Sequence, residues 1–174
     1  MPWCIVAGWS IELFLGTPTR PHGDIELEVP RDDYPRVRDH LAQTLELHAV
    51  GSGRIGPDDV HAPDQHQTWG LDVAAGAWRV DVMLVPGDRD TWVYRRDESL
   101  TAPRRWMVSD TADGIPYLRP HGALLYKGLS TGGLRPKDDA DLASALPHMA
   151  PDERAWLRDE LARRAPEHPW LERF

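Results

Sequence analysis

Apolar and polar residues exchange most regularly over Asp24-Ile25-Glu26-Leu27-Glu28-Val29, a period of two that ends at Pro30 and predicts a half-buried strand with one acidic face. Ahead of it, Trp3-Cys4-Ile5-Val6-Ala7 reads as a short buried strand ended by Gly8, and Ser10 to Gly16 has the apolar spacing of a short helix with a closing glycine. Thr17 to Gly23 is a loop by composition. A helix is expected from Asp32 or Asp33 to about Leu47, with Val37, Leu41 and Leu45 on one face, and the Gly-, Pro- and Asp-rich stretch from Gly51 to Gln67 reads as a surface loop. Trp69 to Ala74 and Trp78 to Leu84 are expected to pair as strands across Ala75-Gly76, and Thr91 to Tyr94 predicts one more.

From about Ile115 the pattern becomes helical, and Pro120, Pro136 and Pro151 each stand where a helix opens. The expected fold class is α+β: a small mixed β-sheet with flanking helices over residues 1–114, followed by a C-terminal helical lobe over residues 115–174, without internal repeats.

Composition narrows the function. A chain of 174 residues with 41% hydrophobic and 28% charged residues can bury the core of one domain with a modest lobe. A formal charge of -8 argues against broad nucleic-acid binding, which needs clustered Lys and Arg. The single Cys4 cannot form an internal disulfide, and no charged-then-apolar leader opens the sequence, so a cytoplasmic protein is expected. No apolar run reaches the roughly 20 residues a membrane span needs.

Asp24 and Glu26 leave one face of their strand side by side, and paired carboxylates suit a hard cation such as Mg²⁺. Asp81, flanked by Val80 and Val82, is the candidate third carboxylate on a neighbouring strand. Gly8 lets backbone approach an anion at the start of the helix that carries Ser10. Taken alone, an acidic strand face is usually just solvated, which is the expectation for Glu28. Only Lys127 and Lys137 of the 20 basic residues are lysine; each is a candidate phosphate contact, and an ion pair with Asp138 or Asp141 is the blander account. Arg20 and His22 are expected to stabilise their loop. His61 and His66 make a poor zinc set without a cysteine partner. Trp9, Trp78, Trp106 and Trp156 are expected in the core, with one open to stack on a base.

The combined order of these residues is more specific than any one of them. Ala7-Gly8-Trp9-Ser10-Ile11-Glu12, Leu15-Gly16 and Thr19-Arg20-x-His22-x-Asp24-Ile25-Glu26-Leu27 resemble the signature of the nucleotidyltransferase superfamily that includes DNA polymerase beta, and within it the aminoglycoside and lincosamide nucleotidyltransferases. Tyr126-Lys127, Arg135-Pro136-Lys137-Asp138-x-x-Asp141, Trp156-Leu157 and Pro169-Trp170-Leu171 resemble their helical portion. Ala7 stands where the family usually has glycine, Glu26 where it has a second aspartate, and the helix expected before the first strand is missing.

The resemblance implies Mg²⁺-dependent transfer of a nucleoside monophosphate, AMP when ATP is the donor or the corresponding monophosphate of another nucleoside triphosphate, to a hydroxyl of a small acceptor such as an aminoglycoside. Asp24 and Glu26 would hold the metal; Asp81 would be a further ligand, the general base, or both; Gly8 and Ser10 would contact the outgoing pyrophosphate. A homodimer pairing two lobes around a cleft is within what the family allows. Two alternatives keep the fold: a toxin-like enzyme that modifies tRNA or protein, and a non-catalytic nucleotide-binding module.

Overall fold

The structure is a computed structural model that describes residues 1–58 and 64–174. Strands and helices run in the order β1 (Cys4–Ile5), α1 (Ala7–Leu15), β2 (Ile25–Pro30), α2 (Tyr34–Leu41), β3 (Glu46–Gly51), β4 (Arg54–Pro57), β5 (Gln65–Asp72), β6 (Ala77–Val85), β7 (Thr91–Val93), β8 (Thr101–Pro103), α3 (Arg104–Met107), β9 (Val108–Asp110), β10 (Pro116–Leu118), α4 (Pro120–Gly128), α5 (Pro136–Ala145) and α6 (Pro151–Arg164). The chain forms two compact units, Met1–Ile5 with Pro21–Trp106 and Val6–Arg20 with Met107–Phe174. Each is drawn from two stretches, whereas the division expected at 114/115 is a single cut. Among the described residues no helix is long and apolar enough to cross a membrane.

In the first unit the strands lie in the order β4-β3-β5-β6-β2-β1. β2 and β6 are parallel and the other neighbours antiparallel, which makes the sheet mixed. A parallel pair needs a long return connection, and here that connection contains α2. One sheet face packs on this helix: Val29, Val82 and Leu84 are buried against Tyr34 and Val37, with Leu27, Val80 and Leu41 at the edge. The period-two pattern of β2 therefore turns Leu27 and Val29 to the core and leaves Glu26 and Glu28 on the opposite face.

The helix expected to reach Leu47 stops at Leu41, and β3 begins at Glu46. Ala42 to Leu45 close the last turn through Leu45 N–H to Leu41 O at 2.9 Å. Glu46-Leu47-His48-Ala49-Val50 then alternates, a pattern that shares its leucines with the helical spacing. The stretch read as one loop holds the β3–β4 hairpin and the start of β5. Its turn is Ser52-Gly53, with φ of 47° and 71°, the positive values that a two-residue hairpin turn requires. His61 lies outside the described residues.

In the second unit α1, α4, α5 and α6 build a helical core that includes Leu124, Leu125, Leu142, Leu157, Leu161 and Trp170, alongside the antiparallel pair β9–β10. All three helices expected to open on proline do so. Gly128 is fixed by packing, since a Cβ there would meet Leu161 Cδ2 at 3.0 Å and Trp170 Cζ3 at 3.1 Å. Glu12, which the sequence pattern did not single out, is buried and clamps the loop after α1: its Oε1 accepts from Thr19 N at 2.7 Å, Thr19 Oγ1 at 2.7 Å and Arg20 N at 3.0 Å.

Glu153 caps α6 by accepting the Ala150 N–H at 3.0 Å and pairs with Arg119 at 3.1 Å. Burial opposes its ionisation, but His121, the Ala150 N–H and Arg119 together hold its pKa down, from 4.5 to about 2. A depressed acid stabilises the fold fully above its unfolded pKa and loses that contribution as pH falls toward the folded one. Denaturant melts across pH are expected to show stability declining between about 4.5 and 2, and Glu153→Gln is expected to lower stability at pH 7 and to flatten that slope. An unchanged slope in the variant would refute the assignment.

Candidate active site

Directly opposed residues on adjacent strands project from the same sheet face. In the first unit the register sets a row of them: His48 of β3 opposite Trp69 of β5, Trp69 opposite Asp81 of β6, and Asp81 opposite Glu26 of β2. Asp24 sits one pleat earlier, immediately before β2. The register sets Glu26 and Asp81 side by side, and Asp24 is near enough for its charge to act on Asp81.

Asp81 is 9% exposed. Its Oδ2 accepts from Gln67 Nε2 at 2.8 Å, while Oδ1 is buried and accepts no hydrogen bond from the described residues. Burial, then the charges of Glu26 and Asp24, push its pKa up to about 7, against the pull of the Trp69 indole and the Arg95 guanidinium. A buried carboxylate oxygen beside two like charges is a place where a cation is stabilised, and three carboxylates form the hard-oxygen donor set that suits Mg²⁺. Among the described residues, no three His, Cys, Asp or Glu side chains already converge as a metal cage. The residues present fit a divalent ion by charge and donor type.

Glu28, expected to be solvated, is instead 2% exposed. Arg104 lies 3.7 Å from its Oε1, and Trp92 Nε1 donates to Oε2 at 3.4 Å. Burial pushes its pKa up to about 7 even though Arg104, Trp92 and Arg95 favour the charge. Its period-two phase with Glu26 was readable in the sequence; the long-range partners Arg104 and Trp92 were not. Gln67 carried no signal, because neutral amides are ordinary on strand faces.

The remaining candidates belong to the second unit. Gly8 and Ser10 are buried within α1, and Ser10 Oγ donates to Ala7 O at 2.9 Å, so its hydroxyl is engaged within the helix. Lys127 is buried between Asp141, at 2.8 Å, and Asp138, at 3.3 Å, which favours the ion-pair account over a phosphate contact. Asp138 is pinned further by Arg135 at 2.7 Å, and Arg20 approaches Asp141 at 3.6 Å. Lys137 is exposed on the first turn of α5. His66 lies on β5 with Nδ1 3.3 Å from Asp64 O. Trp78, expected in the core, is 39% exposed.

The fold is that of the nucleotidyltransferase-type antibiotic adenylyltransferases. The lincosamide antibiotic adenylyltransferase LnuA, solved with lincomycin bound, is 15% identical and superposes with a TM-score of 0.60 over 85% of this chain and 87% of its own. The antibiotic-resistance factor ANT(2'')-Ia, in complex with adenylyl-2''-tobramycin, is 14% identical with a TM-score of 0.60 over 94% of this chain and 89% of its own. Its solution structure gives 13% identity and a TM-score of 0.59 over 94% and 83%. Residues 1–49 match the family described as aminoglycoside-2''-adenylyltransferase, in agreement with the resemblance read from Ala7 to Leu27. Curated proteins yield no match.

Ala7 adopts a φ of 58°, a region that costs a residue with a Cβ roughly 1–2 kcal/mol. Ala7→Gly is expected to raise the unfolding free energy by about 1 kcal/mol in chemical denaturation. Equal or lower stability would show that the backbone carries no strain there.

Proposed function

We propose that this protein is an adenylyltransferase that moves AMP from ATP to a hydroxyl of a small cationic acceptor of the aminoglycoside class and releases pyrophosphate. The observation that carries the reading is the parallel β2–β6 register, which sets Glu26 against the buried Asp81 with Asp24 one pleat away.

Asp24 and Glu26 would hold Mg²⁺, with Asp81 as a further ligand. Bound there, the ion would neutralise triphosphate oxygens and polarise the phosphorus under attack. The rest of the work falls to the chain itself. Asp81 accepts the proton of the acceptor hydroxyl at Oδ1, which accepts no hydrogen bond from the described residues. Gln67 keeps the carboxylate in place by donating to Oδ2.

The test is pyrophosphate release and mass detection of an adenylylated product with ATP, Mg²⁺ and a panel containing tobramycin and lincomycin. Asp81→Asn is expected to reduce turnover by a factor of about 10² to 10⁴ while nucleotide still binds. Turnover that survives Asp81→Asn would remove the residue from the mechanism. Silence from every acceptor with the native chain would remove the reaction.

A further inference from the structure

Beside the carboxylates the same sheet face carries an aromatic cluster that the proposed chemistry does not use. Trp78 makes edge contacts with Trp69, ring centroids 5.5 Å apart, and with His48, at 5.2 Å. Strict alternation would send Trp78 to the face opposite Asp81, since the two are an odd number of residues apart. A register shift prevents this: Gly70 pairs with Val80 but Leu71 pairs with Trp78, so Arg79 is the extra residue of a β-bulge. The bulge re-aims Trp78 onto the face of Asp81. The indole stays 39% exposed there, although packing onto a core would bury far more apolar surface.

The order of the row separates this cluster from the phosphate end. Glu26 lies on one side of Asp81 and Trp69 and His48 on the other, while Trp78, three residues before Asp81 on β6 itself, leans its ring onto Trp69 and His48. Charge selects the kind of molecule. Glu46 reaches His48 Nε2 at 2.7 Å from an exposed position, Asp81 closes the other end, and the one cation of the strand pair, Arg79, faces Asp72 at 3.5 Å. Indole faces between carboxylates favour an ammonium-bearing ring, through cation–π attraction and contact with its apolar C–H face.

From this geometry we infer that Trp78, Trp69 and His48 form the acceptor platform, which selects amino-substituted sugar rings. The inference rests on the adenylyl-transfer reading for the direction of the row, but it is read out by binding without turnover. Tobramycin is the probe, titrated calorimetrically into the full chain at low ionic strength with nucleotide absent; ATP with Mg²⁺ is titrated separately. Trp78→Ala is expected to weaken tobramycin at least tenfold, Trp78→Phe to restore most of that loss, and ATP affinity to stay within twofold in both. Unchanged tobramycin affinity in Trp78→Ala, or no tobramycin binding to the native chain, overturns the platform. Loss of ATP affinity instead would assign the indoles to the nucleobase. Tobramycin that binds through Trp78 without ever releasing pyrophosphate from ATP leaves the platform standing and removes the transfer reaction.

Discussion

Two neighbouring strands run parallel, and their register sets a carboxylate against a carboxylate. Glu26 and Asp81 are paired across β2 and β6, an arrangement that like-charge repulsion disfavours unless something else compensates. On the Asp81 side, Gln67 donates to one oxygen, and Arg95 and the Trp69 indole oppose the rise of its pKa. A fold that were only a scaffold would have little reason to keep a half-buried Glu26 beside a buried Asp81. Its persistence is intelligible if the pair works with a cation.

The same register explains why the pair is rigid. Residues alternating with the acids, Leu27, Val29, Val82 and Leu84, pack against α2 on the far face. A one-residue slip of β2 would carry its acids into that core and its aliphatic residues into the site, so hydrophobic burial holds the carboxylates in place. Glu28 extends the acidic row inward, where Arg104 and Trp92 tie it to residues after β6. In the second unit, Glu12, Glu153 and the Lys127 cluster do comparable work, each satisfying backbone or cationic groups at a loop or helix end.

The strand from Ile25 to Pro30 and the three proline-opened helices were legible in the sequence because each depends on local pattern: alternation in one case, a fixed φ at the first helical turn in the others. Asp24, Glu26 and Asp81 were legible for a related reason, since motif order and strand phase are both written locally. What escaped was set by features that a local pattern does not carry. β3 was hidden because Leu45 and Leu47 suit a helix as well as a strand. The burial of Glu28 depends on residues more than sixty positions away, and the bond from the Ser10 hydroxyl to Ala7 O leaves no mark in the residue pattern. The exposure of Trp78 follows from a one-residue bulge, and alternation by its nature cannot announce its own interruption.

The claim that the opposed carboxylates form a cation-dependent nucleotide site is tested most directly by crystallising the chain with Mn²⁺ and a non-hydrolysable ATP analogue and locating the metal by anomalous scattering. The account predicts an anomalous peak shared by Asp24, Glu26 and Asp81, with triphosphate oxygens completing its coordination. A peak elsewhere, or nucleotide bound with no metal at these three side chains, would contradict it.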